Sequence, residues 1–145
     1  VPTPGTLAAA DRAILAQAEA ALATARAAMG EQAIHQALAA IFAVVAEANR
    51  YFAGEAPWAL RKTDPARMET VLWTTIETVR RVAILCQPYM PASAAKLLDL
   101  LAVPADARDF APVGGAHALK AGARLPPPQP VFPRYVEAEQ GGAQG

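Results

Sequence analysis

The chain has 145 residues, and its Lys+Arg 13 balance Asp+Glu 13 for a formal net charge of zero. That length suits one domain, and the neutral balance excludes a generic polyanion sponge, so any nucleic-acid contact must be local. Hydrophobic residues reach 54%, largely alanine, with aromatics at 6% and charged residues at 18%, which argues against wholesale disorder and for closely packed helices.

The first predicted helix opens after a loop over residues 1–6, with Thr6 as its N-cap. Leu7, Ile14, Ala18, Ala21 and Ala25 follow helical spacing, and Gly30 is the predicted C-terminal cap. A second helix places Ile34, Leu38, Ile41, Val45, Ala48 and Phe52 on one stripe and ends at Gly54. Glu55, Ala56, Pro57 and Trp58 then read as a break carrying a large aromatic. Asp64-Pro65 reads as an N-cap followed by a first-turn proline, since proline lacks only a donor that would be orphaned there. The helix it opens aligns Met68, Leu72, Ile76, Val79, Ala83 and Cys86, and Pro88 stops it. Pro91 starts a short fourth helix with Ala94, Leu97, Leu98 and Leu101 as apolar contacts. Short connections favour antiparallel neighbours, so residues 1–103 are predicted to form an all-α antiparallel bundle.

Residues 104–145 change character. Glycines, a run of three prolines at 126–128, Pro130 and Pro133 forbid long helices and predict an extended tail. Val131, Phe132 and Tyr135 call for burial, so the tail is expected to dock on the bundle or on a further domain, with residues 137–145 frayed.

Composition also restricts chemistry. Ser93 is the single serine, beside Pro91 at a helix start, and His35 and His117 are the two histidines. No GxxxxGKS/T, GxGxxG or HExxH string occurs, so no catalytic residue, metal site or cofactor site is expected in the chain. Cys86 is alone, which leaves no intrachain disulfide and suits a cytosolic setting. No apolar run reaches the roughly 18 residues of a membrane span, and no basic-then-apolar leader opens the chain, so no membrane contact is expected.

Charge is uneven. Residues 1–56 are slightly acidic, whereas Arg61, Lys62, Arg67, Arg80, Arg81 and Lys96 make residues 57–101 slightly basic. The basic half begins at the Trp58 break.

At Asn49-Arg50-Tyr51 and Pro57-Trp58-Ala59-Leu60-Arg61-Lys62 the sequence resembles the anticodon-binding domain of methionyl-tRNA synthetase. The likeness continues through Asp64-Pro65-Ala66-Arg67-Met68, Glu77-Thr78-Val79-Arg80, Gln87-Pro88-Tyr89-Met90-Pro91, Lys96-Leu97-Leu98-Asp99 and Val131-Phe132-Pro133-Arg134-Tyr135. Each string is weak, but the ordered set is strong. Sister synthetases for leucine, isoleucine, valine and cysteine share the helical architecture and are the nearest confusions.

The resemblance implies a bundle that reads the CAU anticodon of tRNA(Met) for a ligase joining methionine to tRNA with ATP. It implies that ATP and methionine bind in a catalytic domain outside this chain, whose HIGH and KMSKS motifs are missing here. The family's Asn-Leu-x-x-Arg helix, which helps recognise anticodon bases, is missing as well, and Asn49-Arg50 does not inherit that role. Trp58 matches the tryptophan that stacks on the anticodon in the family.

Trp58 has a physical case of its own. Every base has a π-face, and an anticodon loop offers unstacked bases. The competing reading makes Trp58 a plug between the second and third helices. Arg61 and Lys62 are candidates for backbone phosphates or a solvated pair. Arg80-Arg81 are expected in salt bridges or on a solvated face, Asn49 and Arg50 in contacts joining their helix end to a neighbour. Trp73, His35 and Cys86 are expected to be structural. A non-enzymatic helical scaffold, with its Ala-rich half binding partner helices, is the reading from another class.

Overall fold

The computed structural model describes residues 1–134. Among them there are helices and turns but no strand. The helices are α1 (Ala9–Gly30), α2 (Ile34–Glu55), α3 (Pro57–Thr63), α4 (Pro65–Cys86) and α5 (Pro91–Leu100). Three short 3-10 turns follow, at Ala105–Ala107, Ala111–Val113 and Gly115–His117. Tyr135 and residues 137–145 lie outside the described residues.

α1 and α2 form a hairpin whose closest faces are alanine. Ala18, Ala21, Ala25 and Ala37 are buried there beside Ile14, Ile41 and Val44. Small side chains let the two backbones approach, which is what the alanine-rich composition is for. α4 lies against α1, α2, α3 and α5, and is the pillar of the bundle.

The helix ends differ from the sequence expectations in instructive ways. Thr6 is not the N-cap of α1; the cap position is Ala8, whose amide donates to Asp11 Oδ2 at 2.7 Å. The acidic side chain at the third helical position thus reaches back to the cap residue's own amide, the reciprocal half of a capping box, with no side-chain cap at Ala8. Gly30 lies in the last turn of α1, and Gln32 takes the left-handed conformation (φ 58°) while the Ala33 amide returns to the Ala28 carbonyl. Gly54 likewise lies inside α2. That helix ends at Ala56 (φ 44°, ψ 61°), because Pro57 disfavours right-handed geometry before it and has no N–H to offer. Asp64 caps α4 as expected, accepting from the Arg67 amide at 3.0 Å. The segment expected to be a plain break holds a third, seven-residue helix, α3.

The largest departure concerns α4. Of its predicted apolar face, Ala83 and Cys86 are buried, but Met68, Leu72, Ile76 and Val79 are only half-buried. Its fully covered face instead carries Thr74, Glu77, Thr78, Arg80 and Arg81 among Val71, Ile84 and Leu85. The polar stripe is covered because its charges are paired. Glu77 accepts from Arg80 Nη2 at 2.6 Å and Nε at 2.9 Å, from Arg81 Nε at 2.9 Å, and from the Leu119 amide at 3.0 Å. Arg81 reaches on to the Leu15 carbonyl of α1 at 2.8 Å. Of the two readings held open for Arg80-Arg81, the salt-bridged one is found, and deep in the protein.

Residues 104–134 run irregularly over the bundle. Leu119 is bracketed by α4, its amide on Glu77 and its carbonyl accepting from Trp73 Nε1 at 3.0 Å. The Arg108 carbonyl accepts from Gln87 at 2.7 Å, and Arg26 lies 5.4 Å over the Phe110 ring. Phe132 departs from its expectation: it is 67% exposed, at the mouth of a groove rather than inside it. His35 is exposed on α2, not structural, and Arg50 pairs with Glu47 of its own helix instead of a neighbouring one. Trp73 and Cys86 are buried, and the Cys86 thiol is pushed up by burial.

One expectation about apolar runs needs correction. Residues 34–63 include a window of mean hydropathy 1.2, long and apolar enough by length and composition to cross a membrane. In the bundle that run is broken at Ala56 and packs Ala37, Ile41, Val44 and Tyr51 into the core.

Candidate nucleic-acid interface

Seven residues between two prolines build the surface of interest. Pro57 starts α3 and is buried, so the short helix is anchored at its first residue. Leu60, one turn on, packs against the core. The opposite face of α3 carries Trp58, Arg61 and Lys62, all exposed.

Trp58 is 63% exposed, among the most exposed large hydrophobic side chains described. Its ring meets Phe52 edge-on, with centroids 5.9 Å apart and planes at 63°. That contact steadies the indole and leaves most of it uncovered, which is not the environment of a plug between helices. Phe52 in turn lines an apolar groove of about 400 Å³ between α2, α4 and α5, together with Phe42, Val45, Val79, Val82 and Phe132.

The electrostatics are simpler than the sequence suggests. Of the six cations between residues 57 and 101, Arg67, Arg80 and Arg81 are occupied in ion pairs. Arg61 and Lys62 make no ion pair among the described residues, so their charge faces solvent within one turn of Trp58. No group of three His, Cys, Asp or Glu is positioned to hold a metal among the described residues.

Behind α3 lies a charge cluster that hydropathy patterns gave no reason to single out. Asp11, with no exposed surface, accepts from Arg67 Nη1 at 2.5 Å and Nη2 at 2.8 Å, and from the Tyr51 hydroxyl at 2.5 Å. The same Arg67 guanidinium donates to Glu55 at 2.7 and 3.2 Å. Burial works to raise the Asp11 carboxyl pKa, but the bonds from Arg67, Tyr51 and Ala8 outweigh it and hold the group below its ordinary value. Burial and the adjacent carboxylate push the Tyr51 phenol up, and the hydrogen bond to Asp11 outweighs burial in raising Arg67. Asp11 and Arg67 are thus held in their ionised forms and Tyr51 in its neutral one, in a cluster joining the first turn of α1, the end of α2 and the first turn of α4. Its one trace in the sequence is Asp11 itself, a charge on an alanine helix where the core stripe runs.

Among the described residues the bundle is helical and sets an uncovered indole beside two cations that make no ion pair, a flat apolar face next to positive charge. The chain belongs to the family described as the anticodon binding domain of methionyl tRNA ligase, matched over residues 1–144. It is 71% identical over 137 residues to the methionine–tRNA ligase of Mesorhizobium japonicum, covering 94% of this chain and 27% of that protein. Against the Brucella suis enzyme it is 68% identical over 140 residues, covering 97% and 27%. The free methionyl-tRNA synthetase of Mycobacterium tuberculosis superposes with a TM-score of 0.88 at 46% identity, over 95% of this chain and 28% of that one. The same enzyme with methionyl-adenylate gives 0.87 at 47% identity, over 92% and 27%. The chain thus spans about a quarter of the length of the curated relatives it matches. The scaffold and sister-synthetase readings give way to this family.

Proposed function

We propose that this chain presents the Trp58 face of α3 to the anticodon loop of tRNA(Met), within a methionine–tRNA ligase whose catalytic domain lies outside these residues. In that reading ATP and methionine bind in the catalytic domain, no residue of this chain performs chemistry, and the enzyme works in the cytoplasm. Trp58 stacks on an unpaired base of the CAU anticodon, and Arg61 and Lys62 neutralise phosphates beside it. Residues 1–103 act as the reading bundle, and residues 104–145 as a tail that moors on the bundle or the catalytic domain.

The observation that carries this reading is the exposure of Trp58 at 63%, on a helix that also exposes the cations Arg61 and Lys62. A large aromatic left in water at an anchored position is poor economy for stability and good preparation for stacking. Base–aromatic stacking is worth about 1–3 kcal/mol per base. Trp58→Ala is therefore expected to weaken binding of an RNA hairpin with a CAU loop by roughly five- to 150-fold, with the helical circular dichroism and the unfolding midpoint unchanged. Unchanged hairpin affinity would remove Trp58 from the interface.

A further inference from the structure

Resting on that reading of Trp58, we propose that Arg67 is a positioning residue for the RNA-facing surface: by gripping Glu55 and Asp11 in one guanidinium it holds α3 in place and so sets the attitude of the Trp58 ring.

Seven residues cannot sustain a helix by themselves, since helix nucleation is unfavourable and short helices depend on tertiary support. α3 is also entered through strained backbone, as Ala56 is left-handed (φ 44°, ψ 61°) without being glycine. The chain on both sides must therefore be pinned. Glu55, the last residue of α2, receives Arg67 Nη2 at 2.7 Å and Nε at 3.2 Å. Arg67 itself sits in the first turn of α4, where its amide is held by Asp64 at 3.0 Å, and its Nη1 and the shared Nη2 donate to the buried Asp11. Residues 55 and 67 are thus tied together across the whole of α3. Trp58 meets an aromatic partner only edge-on, at Phe52, so the plane of its ring follows from where α3 lies. The planar fork of arginine suits this task because it engages two carboxylates at once, which the single ammonium of lysine cannot reproduce.

The test uses the full chain and an RNA hairpin with a CAU loop. Arg67→Met would leave the buried Asp11 without its cation and so confound binding with folding; the informative variant is Glu55→Gln, which cuts one arm and leaves the Asp11–Arg67 pair intact. Glu55→Gln is expected to weaken hairpin binding about three- to fivefold, the scale of one partly exposed ion pair, and to have no further effect in a Trp58→Ala background. The indole N–H resonance of Trp58 should shift in Glu55→Gln, while that of Trp73, bonded to the Leu119 carbonyl at 3.0 Å, stays in place. A Glu55→Gln effect that persists undiminished without Trp58, or a Trp58 resonance that does not move, overturns the positioning role. If Trp58→Ala weakens binding and Glu55→Gln does not, the positioning role falls and the stacking reading stands. If Trp58→Ala itself leaves binding unchanged, both fall.

Discussion

Two buried carboxylates organise this protein, and they are put to different ends. Asp11 and Glu77 both lack exposed surface and both are held by arginines drawn from α4. Their arginines, Arg67 and Arg80, stand thirteen residues apart, about 20 Å along the helix at 1.5 Å per residue. Around Asp11 the pairing extends outward, through the 20%-exposed side chain of Arg67 to Glu55, and ends behind the surface of α3. Around Glu77 it closes mainly on buried groups, Arg80, Arg81 and the Leu119 amide, with one longer 3.4 Å pair from Arg81 out to the exposed Glu19, and it moors the irregular segment onto the bundle. A buried charge is tolerated only when every bonding position is met. The molecule uses that demand once to aim a surface and once to fasten a strap.

The contrast predicts unequal responses to substitution. Glu77→Ala should be the most damaging change, because it removes the carboxylate shared by two buried guanidiniums, leaving Arg81 with only its longer 3.4 Å ion pair to Glu19. Stability should fall by about 3–5 kcal/mol in urea unfolding, with loss of the Trp73 indole protection as the Leu119 contact is released. Asp11→Ala should cost less, about 1.5–3 kcal/mol, since Arg67 is partly exposed and keeps Glu55, whereas Arg80 has no exposed surface. A larger loss for Asp11→Ala than for Glu77→Ala would reverse the comparison.

Acid should find the Asp11 cluster. Its native carboxyl pKa lies below the ordinary 3.8, so the ionised form stabilises the fold fully above that value. The contribution is lost as pH falls below 3.8 through the native value, when protonation weakens the bonds to Arg67. Asp11→Asn should be less stable than the parent at neutral pH, and the gap should narrow in unfolding curves collected toward pH 2. A gap that stays constant over that range would show that the pair contributes nothing through its charge.

Smaller effects separate the tryptophans and the surface cations. Trp73→Phe removes the donor to Leu119 and should cost about 1 kcal/mol, a change in stability without a change in RNA affinity. Trp58→Ala should show the opposite pattern. Arg61→Ala and Lys62→Ala should leave stability untouched. Each should lower the slope of log affinity against log salt by about 0.7 if it meets a phosphate of single-stranded RNA. An unaltered slope would return that residue to plain solvent.

Much of this was open to reading from the residues alone, because local chemistry decides it. Asp64-Pro65 and Pro91 start helices, since a proline in the first turn sacrifices no bond, and the spacing of Ile14, Ala18, Ala21 and Ala25 defines a buried stripe. The all-α class and the family resemblance around Pro57-Trp58 rest on such features. Tertiary structure alone decided three other things. It made a helix of residues 57–63, which are too few to declare themselves before α2 and α4 flank them. It left Trp58 outside, where the residues alone kept both a stacking surface and a plug between helices open, a choice that depends on which face meets a neighbour. It also buried Glu77, Arg80 and Arg81 along with Asp11. Hydropathy assigns such side chains to solvent, because the cost of burying a charge is a property of the residue. The partners that offset that cost come from Leu15, Tyr51 and Leu119, distant in sequence and adjacent only once the chain has folded.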